Sequence, residues 1–568
     1  MENLSKLSKI SGITYFVIGV SMLVCWQVVE PVSDMFNNLF WAATLSFLAI
    51  GGINLFVKDG IITSTHISRV LLGALFIVSG LIKANDTLGF SFKLEEYFAE
   101  NALNWTLFEP ASIQMSIFIA SSEIVLGLAV LFGGLIRISS WALMAMILFF
   151  AWLTYYTASC NDAQIMGLEH STCVTDCGCF GDALRGSIGR SLTPWESFFK
   201  DITLLAYAMI VFIMQKHIRF NTSKEDIIIL PAAILFNIVV GWWLLGWWFP
   251  VIFTAIIIVI YLLVKQKITT NKQMLFTAGI SVLLSFGFAL YTHTYLPIKD
   301  YRGFAVGENL IEQSNNGKPK ITNNIYTYKH AKTGELLVIS QEKYMATWND
   351  IDTSFKYQSI EDVVMDEGKP ASISNFVPTK LYNQLSEREK SIDSIASQIR
   401  AKYSEYYEKI HVLESIYGYI DSVGELDYDP SYYPDSLYKY LGVVEKKIND
   451  ADFEINFKDY FFTAPKVLIV TSYDIEESNE AAWQELKKIT DDALTLNIPV
   501  YCILPLMDIE DADVFLAKHN IKAPYILMDK VPIKIIIRSN PGLLYLEESV
   551  LKGKWDYNRF PSLEELTK

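Results

Sequence analysis

Four of the chain's six cysteines, Cys160, Cys173, Cys177 and Cys179, fall within one 20-residue stretch. Three chemistries suit such a cluster. Two disulfides would staple a loop that has little core of its own, and four cysteines allow three connectivities between which sequence does not choose. Alternatively, a thiolate attacks a disulfide and electrons pass to an acceptor in the membrane. The pair Cys177-Gly178-Cys179 would close a small strained ring, and strained exposed disulfides are the exchange-prone ones. The third chemistry is a metal site in which His170 joins Cys173, Cys177 and Cys179. Their spacing matches the paired knuckles of structural zinc poorly. The two remaining cysteines, Cys25 in an apolar run and Cys502 in Ile498-Pro-Val-Tyr-Cys-Ile-Leu504, read as small buried hydrophobes.

Composition says what must carry this loop. The 568 residues are 51% hydrophobic and 19% charged, where soluble domains average about 25% charged. Residues 1–297 hold 16 Lys/Arg and 18 Asp/Glu, whereas 298–568 hold 31 and 44. An apolar, nearly neutral half is thus joined to an acidic soluble half, which excludes both a purely soluble enzyme and a purely membrane-embedded protein. Nucleic acid is excluded as a partner, because the acidic half lacks the positive footprint that phosphate contacts need.

A helix crossing about 30 Å of hydrocarbon needs roughly 20 mainly apolar residues. That length predicts nine spans, near 10–29, 38–57, 67–84, 113–135, 139–159, 197–215, 227–245, 249–265 and 274–295. The long run 227–265 is divided at Gly246-Trp247-Trp248-Phe249-Pro250, where Pro breaks the helix and Trp suits the interface. With the N-terminus inside, the inner segments carry 11 Lys/Arg and four acids, and the outer ones five and 13. The positive-inside rule therefore predicts N-in and C-out. The first span lacks a cleavage site and neither end carries a lipidation or retention signal, so a bacterial inner membrane with a periplasmic C-terminal part is expected.

Glu123 lies in the middle of the fourth span, where an ionised side chain is costly unless paired. It either relays a proton or meets a quinone head group, or it is a protonated carboxyl bonded to a neighbouring helix. Lys83 and Asp86, at the outer end of the third span, read as a snorkelling interfacial pair.

Several runs then resemble DoxX/MauE-type membrane proteins. They are Arg69-Val-Leu-Leu-Gly-Ala-Leu-Phe-Ile-Val-Ser-Gly-Leu-Ile-Lys83-Ala-Asn-Asp86, Gly89-Phe90, Lys93-Leu-Glu-Glu-Tyr-Phe98 and Ser122-Glu-Ile-Val-Leu-Gly127. Cys177-Gly-Cys-Phe-Gly-Asp182 and Leu192-Thr-Pro-Trp-Glu-Ser-Phe-Phe-Lys-Asp201 complete the set. The resemblance covers about 65–215, four of the nine spans. The whole layout is similar to a DoxX-family group of Bacteroidota with extra spans and a C-terminal thioredoxin-like domain. The resemblance implies a four-helix bundle comparable to that of DsbB and vitamin K epoxide reductase. It also implies Cys177 and Cys179 as the exchange or quinone-proximal pair, Cys160 and Cys173 as the partner pair, and quinone as electron acceptor.

In the acidic half, residues 380–423 show an apolar stripe at helical spacing that includes Leu381, Leu385, Ile392, Ile395 and Ile399. Segment 427–436 is a Pro/Asp/Tyr loop. From 466 the order is strand, helix (479–494), strand (498–506), short helix (510–519), strand (524–528), and two further strands after Asn540-Pro541. This order looks like a thioredoxin fold, with Pro541 in the place of that family's cis-proline. Where thioredoxins carry Cys-x-x-Cys, however, this chain has Tyr473-Asp-Ile-Glu-Glu-Ser478.

The expected architecture is a membrane all-α bundle plus a periplasmic α/β thioredoxin-like domain with a helical insertion. Its parts are 1–64 (two helices), 65–216 (the DoxX/MauE-like bundle with cysteine loop 160–195), 217–297 (three helices), 298–460 (connector and insertion) and 461–568 (the redox-silent thioredoxin-like part). Two functions are expected. One is thiol/disulfide exchange with a partner protein, quinone taking the electrons. The other is a non-enzymatic scaffold or accessory subunit of an envelope complex, with structural disulfides and the acidic domain docking a protein partner. Membrane lipid surrounds the bundle in either case.

Overall fold

The structure is a computed structural model that describes residues 2–26, 34–100, 102–165, 174, 178, 180–184, 191–268, 270–318, 321–334, 336–347, 354–366, 371–373, 379–384, 453–562 and 565–566. Cys173, Cys177, Cys179, His170, the 427–436 loop and the stripe from Leu385 onward lie outside them. The chain divides into two units, Met1–Tyr301 and Arg302–Lys568.

The first unit is all helical: α1 (Glu2–Trp26), α2 (Asp34–Phe56), α3 (Gly60–Asn85), α4 (Thr87–Phe98), α5 (Ser112–Phe132), α6 (Ile136–Ile165), α7 (Pro194–Met214), α8 (Ser223–Asn237), α9 (Phe249–Lys267) and α10 (Thr270–Thr294). Nine stretches among the described residues are long and apolar enough to cross a membrane, from Leu4–Val24 to Lys272–Thr294. A π-helical segment, Ile238–Leu244, extends α8, and Gly246 turns the chain at φ 61° before α9. The break in the run 227–265 thus falls in the Trp-rich stretch where Pro250 forbids continuation.

Local sequence starts these helices. Thr193 and Glu196 form a capping box at α7 with Pro194 in its first turn, and Thr222 and Glu225 do the same at α8. Asp86 caps α4, its side chain accepting from the Gly89 amide. Between α3 and α5 the glycines decide the packing. A methyl on Gly80 would lie 2.8 Å from the Ala120 carbonyl oxygen, and one on Gly73 2.9 Å from that of Gly127. Small residues let helix backbones approach where no hydrophobic effect drives them together.

The second unit holds two sheets. One is a three-stranded antiparallel sheet in the order β2-β1-β3, from β1 (Ile321–His330), β2 (Leu336–Ser340) and β3 (Phe355–Asp366). The other contains β4 (Thr379–Tyr382), β5 (Phe453–Ile455), β6 (Lys466–Thr471), β7 (Val500–Pro505), β8 (Tyr525–Met528), β9 (Gly542–Glu547) and β10 (Val550–Asp556), in the order β10-β9-β6-β7-β8-β4-β5. Strands β6, β7 and β8 run parallel, and β9 and β10 are antiparallel. Helices α14 (Glu480–Thr495), α15 (Ile509–Lys518) and α16 (Lys530–Ile536) follow β6, β7 and β8; the short helices α11 (Leu310–Asn315), α12 (Gln341–Thr347) and α13 (Phe457–Phe461) precede them. Trp483, Leu486 and Leu516 pack with Leu468, Cys502 and Leu543 to form the core.

One expectation is corrected here. Leu381 is not on a helix: it is buried in β4, paired with Ile526 on one side and Phe453 on the other. Ladder hydrogen bonds to β8 and β5, which helix-period counting does not see, override the stripe at this residue. The sheet therefore recruits two strands from before residue 461. Its opposite edge is joined by the connector, where the Gly307 amide donates to the Leu551 carbonyl and that of Leu310 to Ser549.

Candidate functional site

The candidate side chains of the first unit that are described gather at the end of the bundle where α3 stops, α4 and α5 start, α6 stops and α7 starts. Lys83, on the last turn of α3, points into the interface with α5. Its Nζ lies 2.7 Å from Glu123 Oε1 and 2.8 Å from Oε2, and it donates to Ser79 Oγ at 2.8 Å. Ser79 in turn donates to Glu123 Oε2 at 2.9 Å. The two charged side chains are only 4% and 2% exposed. The ammonium also faces the rings of Phe90 on α4 and Phe150 on α6, with centroids 5.8 and 5.4 Å away.

This corrects the reading of Lys83 as half of a snorkelling pair with Asp86. Lys83 is buried against Glu123, and Asp86 caps α4. Glu123 is indeed bonded to the neighbouring helix, but to an ammonium. In hydrocarbon each charge is expensive alone, and deleting one partner of such a pair costs about 3–5 kcal/mol. The arrangement places an ammonium and a carboxylate side by side among aromatic rings in a buried part of the bundle.

Above this pair the helix ends are polar. Ser116 Oγ donates to the Thr87 carbonyl at 2.8 Å, while the Thr87 hydroxyl, itself buried, has no hydrogen-bond partner among the described residues. Tyr97 and Thr157 share a hydrogen bond of 3.1 Å. On α7, buried Asp201 pairs with Lys200 at 2.6 Å and lies 3.2 Å from Thr154 Oγ1. Cys160, near the end of α6 and 7% exposed, is disulfide-bonded.

The described residues of the cysteine loop rest on this same end. Val174 packs with Leu94, Tyr97 and Phe98 of α4 and Leu153 of α6, in a cluster that Phe90 borders. Phe90 therefore touches both the loop's cluster and the Lys83 ammonium. Gly178, between two of the cysteines, has φ 63° and sits on Lys93, whose Cγ would be 2.8 Å from a methyl there. Phe180 lies against the Lys200 ammonium at 5.6 Å, and Ala183 and Leu184 are buried in the main core. The predicted exchange residues Cys173, Cys177 and Cys179, and His170 of the metal alternative, lie outside the described residues. Among the described residues no group of three or more His, Cys, Asp or Glu is placed to hold a metal ion.

In the second unit the loop after β6 is polar and pinned. Ser472 Oγ donates to Asn540 Oδ1 at 2.7 Å, and Asn540 Nδ2 to the Asp474 carbonyl at 2.6 Å. The Asn540–Pro541 bond beside it is cis. Cys502 is fully buried in β7, and burial pushes its thiol up to about 12, so it is inert as a nucleophile.

Sequence reasoning found Glu123 and missed Lys83, Ser79 and Thr87 as its neighbours. The available signal was spacing: Ser79 and Lys83 are one helical turn apart, as are Glu123 and Gly127, so each pair shares a face.

Residues 61–214, which contain the ion pair and the cysteine loop, match the family model of methylamine utilisation protein MauE. Comparison with curated proteins and with solved structures finds no match. Over that segment the chain is similar to MauE, and its apolar helices are those of a multi-pass membrane protein with a separate sheet-containing C-terminal unit.

Proposed function

We propose that this protein is a thiol/disulfide oxidoreductase of the bacterial inner membrane. Its loop cysteines exchange with a dithiol partner on the periplasmic side, and a quinone is the final electron acceptor. The partner's two thiols close to a disulfide as the loop disulfide opens to two thiols. Reclosing that S–S bond sends two electrons and two protons to the quinone, which leaves as hydroquinone.

The observation that carries this reading is the coincidence, in the MauE-matching segment, of a disulfide-bonded Cys160 with a buried Lys83–Glu123 pair. A loop stapled for stability alone has no use for an ion pair held in hydrocarbon at a desolvation cost. The N-in orientation is supported by the excess of Lys and Arg in alternate loops. Cys177 and Cys179 are the proposed exchange pair, and Cys160 and Cys173 its partner pair.

The C-terminal unit is proposed as a periplasmic thioredoxin-like module without redox activity. Its parallel β6-β7-β8 with antiparallel β9-β10 and the cis Asn540–Pro541 bond support that fold, and the pinned loop 473–478 carries no thiol. That last observation favours a second reading, in which the disulfides are structural and the acidic unit docks a protein of an envelope complex.

Rapid alkylation in intact cells, before and after a brief reductant pulse, separates the two. Under the first reading the loop cysteines reoxidise within about a minute, and only when quinone is present; Cys177→Ser and Cys179→Ser stop the cycle. Cys502 should stay unlabelled throughout and serves as the internal control. Four loop cysteines that resist the pulse would leave the scaffold reading.

A further inference from the structure

We infer that Lys83 and Glu123 form the station at which the acceptor's carbonyl oxygen is bound and protonated, with the Thr87 hydroxyl as a second donor. This deepens the redox reading above and rests on it.

The donor set fits a quinone. An acceptor of this class presents two carbonyl oxygens on an apolar ring and, once reduced, takes a proton on each. A site for it inside a membrane needs hydrogen-bond donors without water, and flat apolar walls. Lys83 brings an ammonium that is 4% exposed, flanked by the Phe90 and Phe150 rings at 5.8 and 5.4 Å. Thr87, four residues further along, brings a buried hydroxyl with no hydrogen-bond partner among the described residues. A buried donor left without an acceptor is costly unless something else fills the role.

The roles divide by charge. Lys83 is the donor, because an ammonium has three protons and no lone pair; the carbonyl oxygen takes the place of Ser79 Oγ, which accepts one of those protons here. Transfer leaves Lys83 as a neutral amine, and Glu123, 2.7 Å away, passes on to it one of the two protons set free as the thiols close to a disulfide. The described residues of the loop, Val174 and Gly178, rest at this same end of the bundle. Deeper in the α3–α5 interface the way is closed by Ile77, Ile124, Leu128 and Leu131, each at most 1% exposed. The interface also explains why Lys83 rather than another residue does this. The close approach at Gly73, Gly80 and Gly127 brings the α5 backbone up to α3, and Glu123 meets Lys83 across that contact.

The test measures binding of a short-chain ubiquinone by quenching of tryptophan fluorescence in detergent. It uses full-length protein carrying Cys177→Ser and Cys179→Ser, so that no turnover contributes. Lys83→Met/Glu123→Met removes the pair without leaving a lone charge, and circular dichroism and the unfolding midpoint check that the bundle stays folded. The expected result is at least about tenfold weaker binding in the double variant, and a smaller loss in Thr87→Val. In the otherwise native protein, Lys83→Arg should keep binding while shifting the pH dependence of cysteine reoxidation, because arginine does not give up its proton. Quinone binding unchanged in a folded double variant would overturn the assignment. Its failure is distinct from failure of the redox reading: cysteines that never cycle, in a protein whose quinone binding still depends on Lys83, would remove the exchange chemistry and leave the site.

Discussion

Gly127 and Gly73 meet backbone to backbone: a methyl group on Gly127 would lie 2.6 Å from the Gly73 carbonyl oxygen and 3.0 Å from the Ile77 amide nitrogen. Glu123 stands one turn before Gly127 on the same face of α5, so this contact sets how near its carboxylate comes to Lys83. The geometry of the buried charge is therefore held by two residues that have no side chain.

Gly127→Ala should force α3 and α5 apart, because the obstacle is backbone and cannot rotate away. The expected loss is about 1–3 kcal/mol, read as a lower unfolding midpoint in detergent and as weaker protection of the Lys83 region in hydrogen exchange. Gly279→Ala, on exposed α10 surface with nothing within 4 Å, should leave the midpoint where it is or raise it. Equal behaviour of the two variants would contradict the close packing.

Arg69 anchors the opposite end of the same helix pair. It is 1% exposed, and it donates from Nε to the Val130 carbonyl at 2.9 Å and from Nη2 to Leu131 at 3.0 Å. It also donates to Asn221 Oδ1. The two carbonyls belong to the last turn of α5, which has no helical donors for them. Arg69→Met would leave the Val130 carbonyl without its donor, while Leu131 keeps the Asn221 amide at 2.9 Å, and should cost about 1–3 kcal/mol, seen as a lower unfolding midpoint in detergent. Arg69→Lys should recover only part of this, since one ammonium cannot copy a planar fork. A fully stable Arg69→Met would show that the Val130 carbonyl finds another donor.

His519 gives the C-terminal unit a pH dependence with a defined sign. Its imidazole stacks on Trp483 with centroids 5.2 Å apart, and burial holds its pKa below the usual 6.5, while Glu480 pulls it up and Lys518 pushes it down. Below 6.5 the unfolded chain binds a proton there that the folded chain refuses. The stability is thus complete above that value and is lost as pH falls toward the folded pKa. Slowed exchange at the amides of α14 and α15 should weaken from pH 7 down to about 5, and His519→Phe should flatten that trend. A trend unchanged in His519→Phe would assign the effect to other groups.

Much of the architecture is local and so was legible in the chain. The nine spans follow from apolar length, the break before α9 from Trp, Gly and Pro, and the start of α7 from Thr193 and Glu196. Likewise the alternation from β6 to β10 follows from short buried runs between amphipathic helices. Glu123 could be singled out because an acid in the middle of an apolar span is conspicuous by itself.

What tertiary structure alone decided was pairing. Lys83 looked like an interfacial residue because Asp86 is near it in sequence, yet its partner is 40 residues away on an antiparallel helix. Leu381 looked helical by spacing, yet it joins a strand 72 residues further on through β5, and β8 closes its other side. Apolar length and periodicity measure what each segment does with its own neighbours. Which lysine meets which carboxylate, and which strand fills a sheet edge, depends on helix rotation and on backbone contact between distant segments, and a glycine at the crossing point sets it.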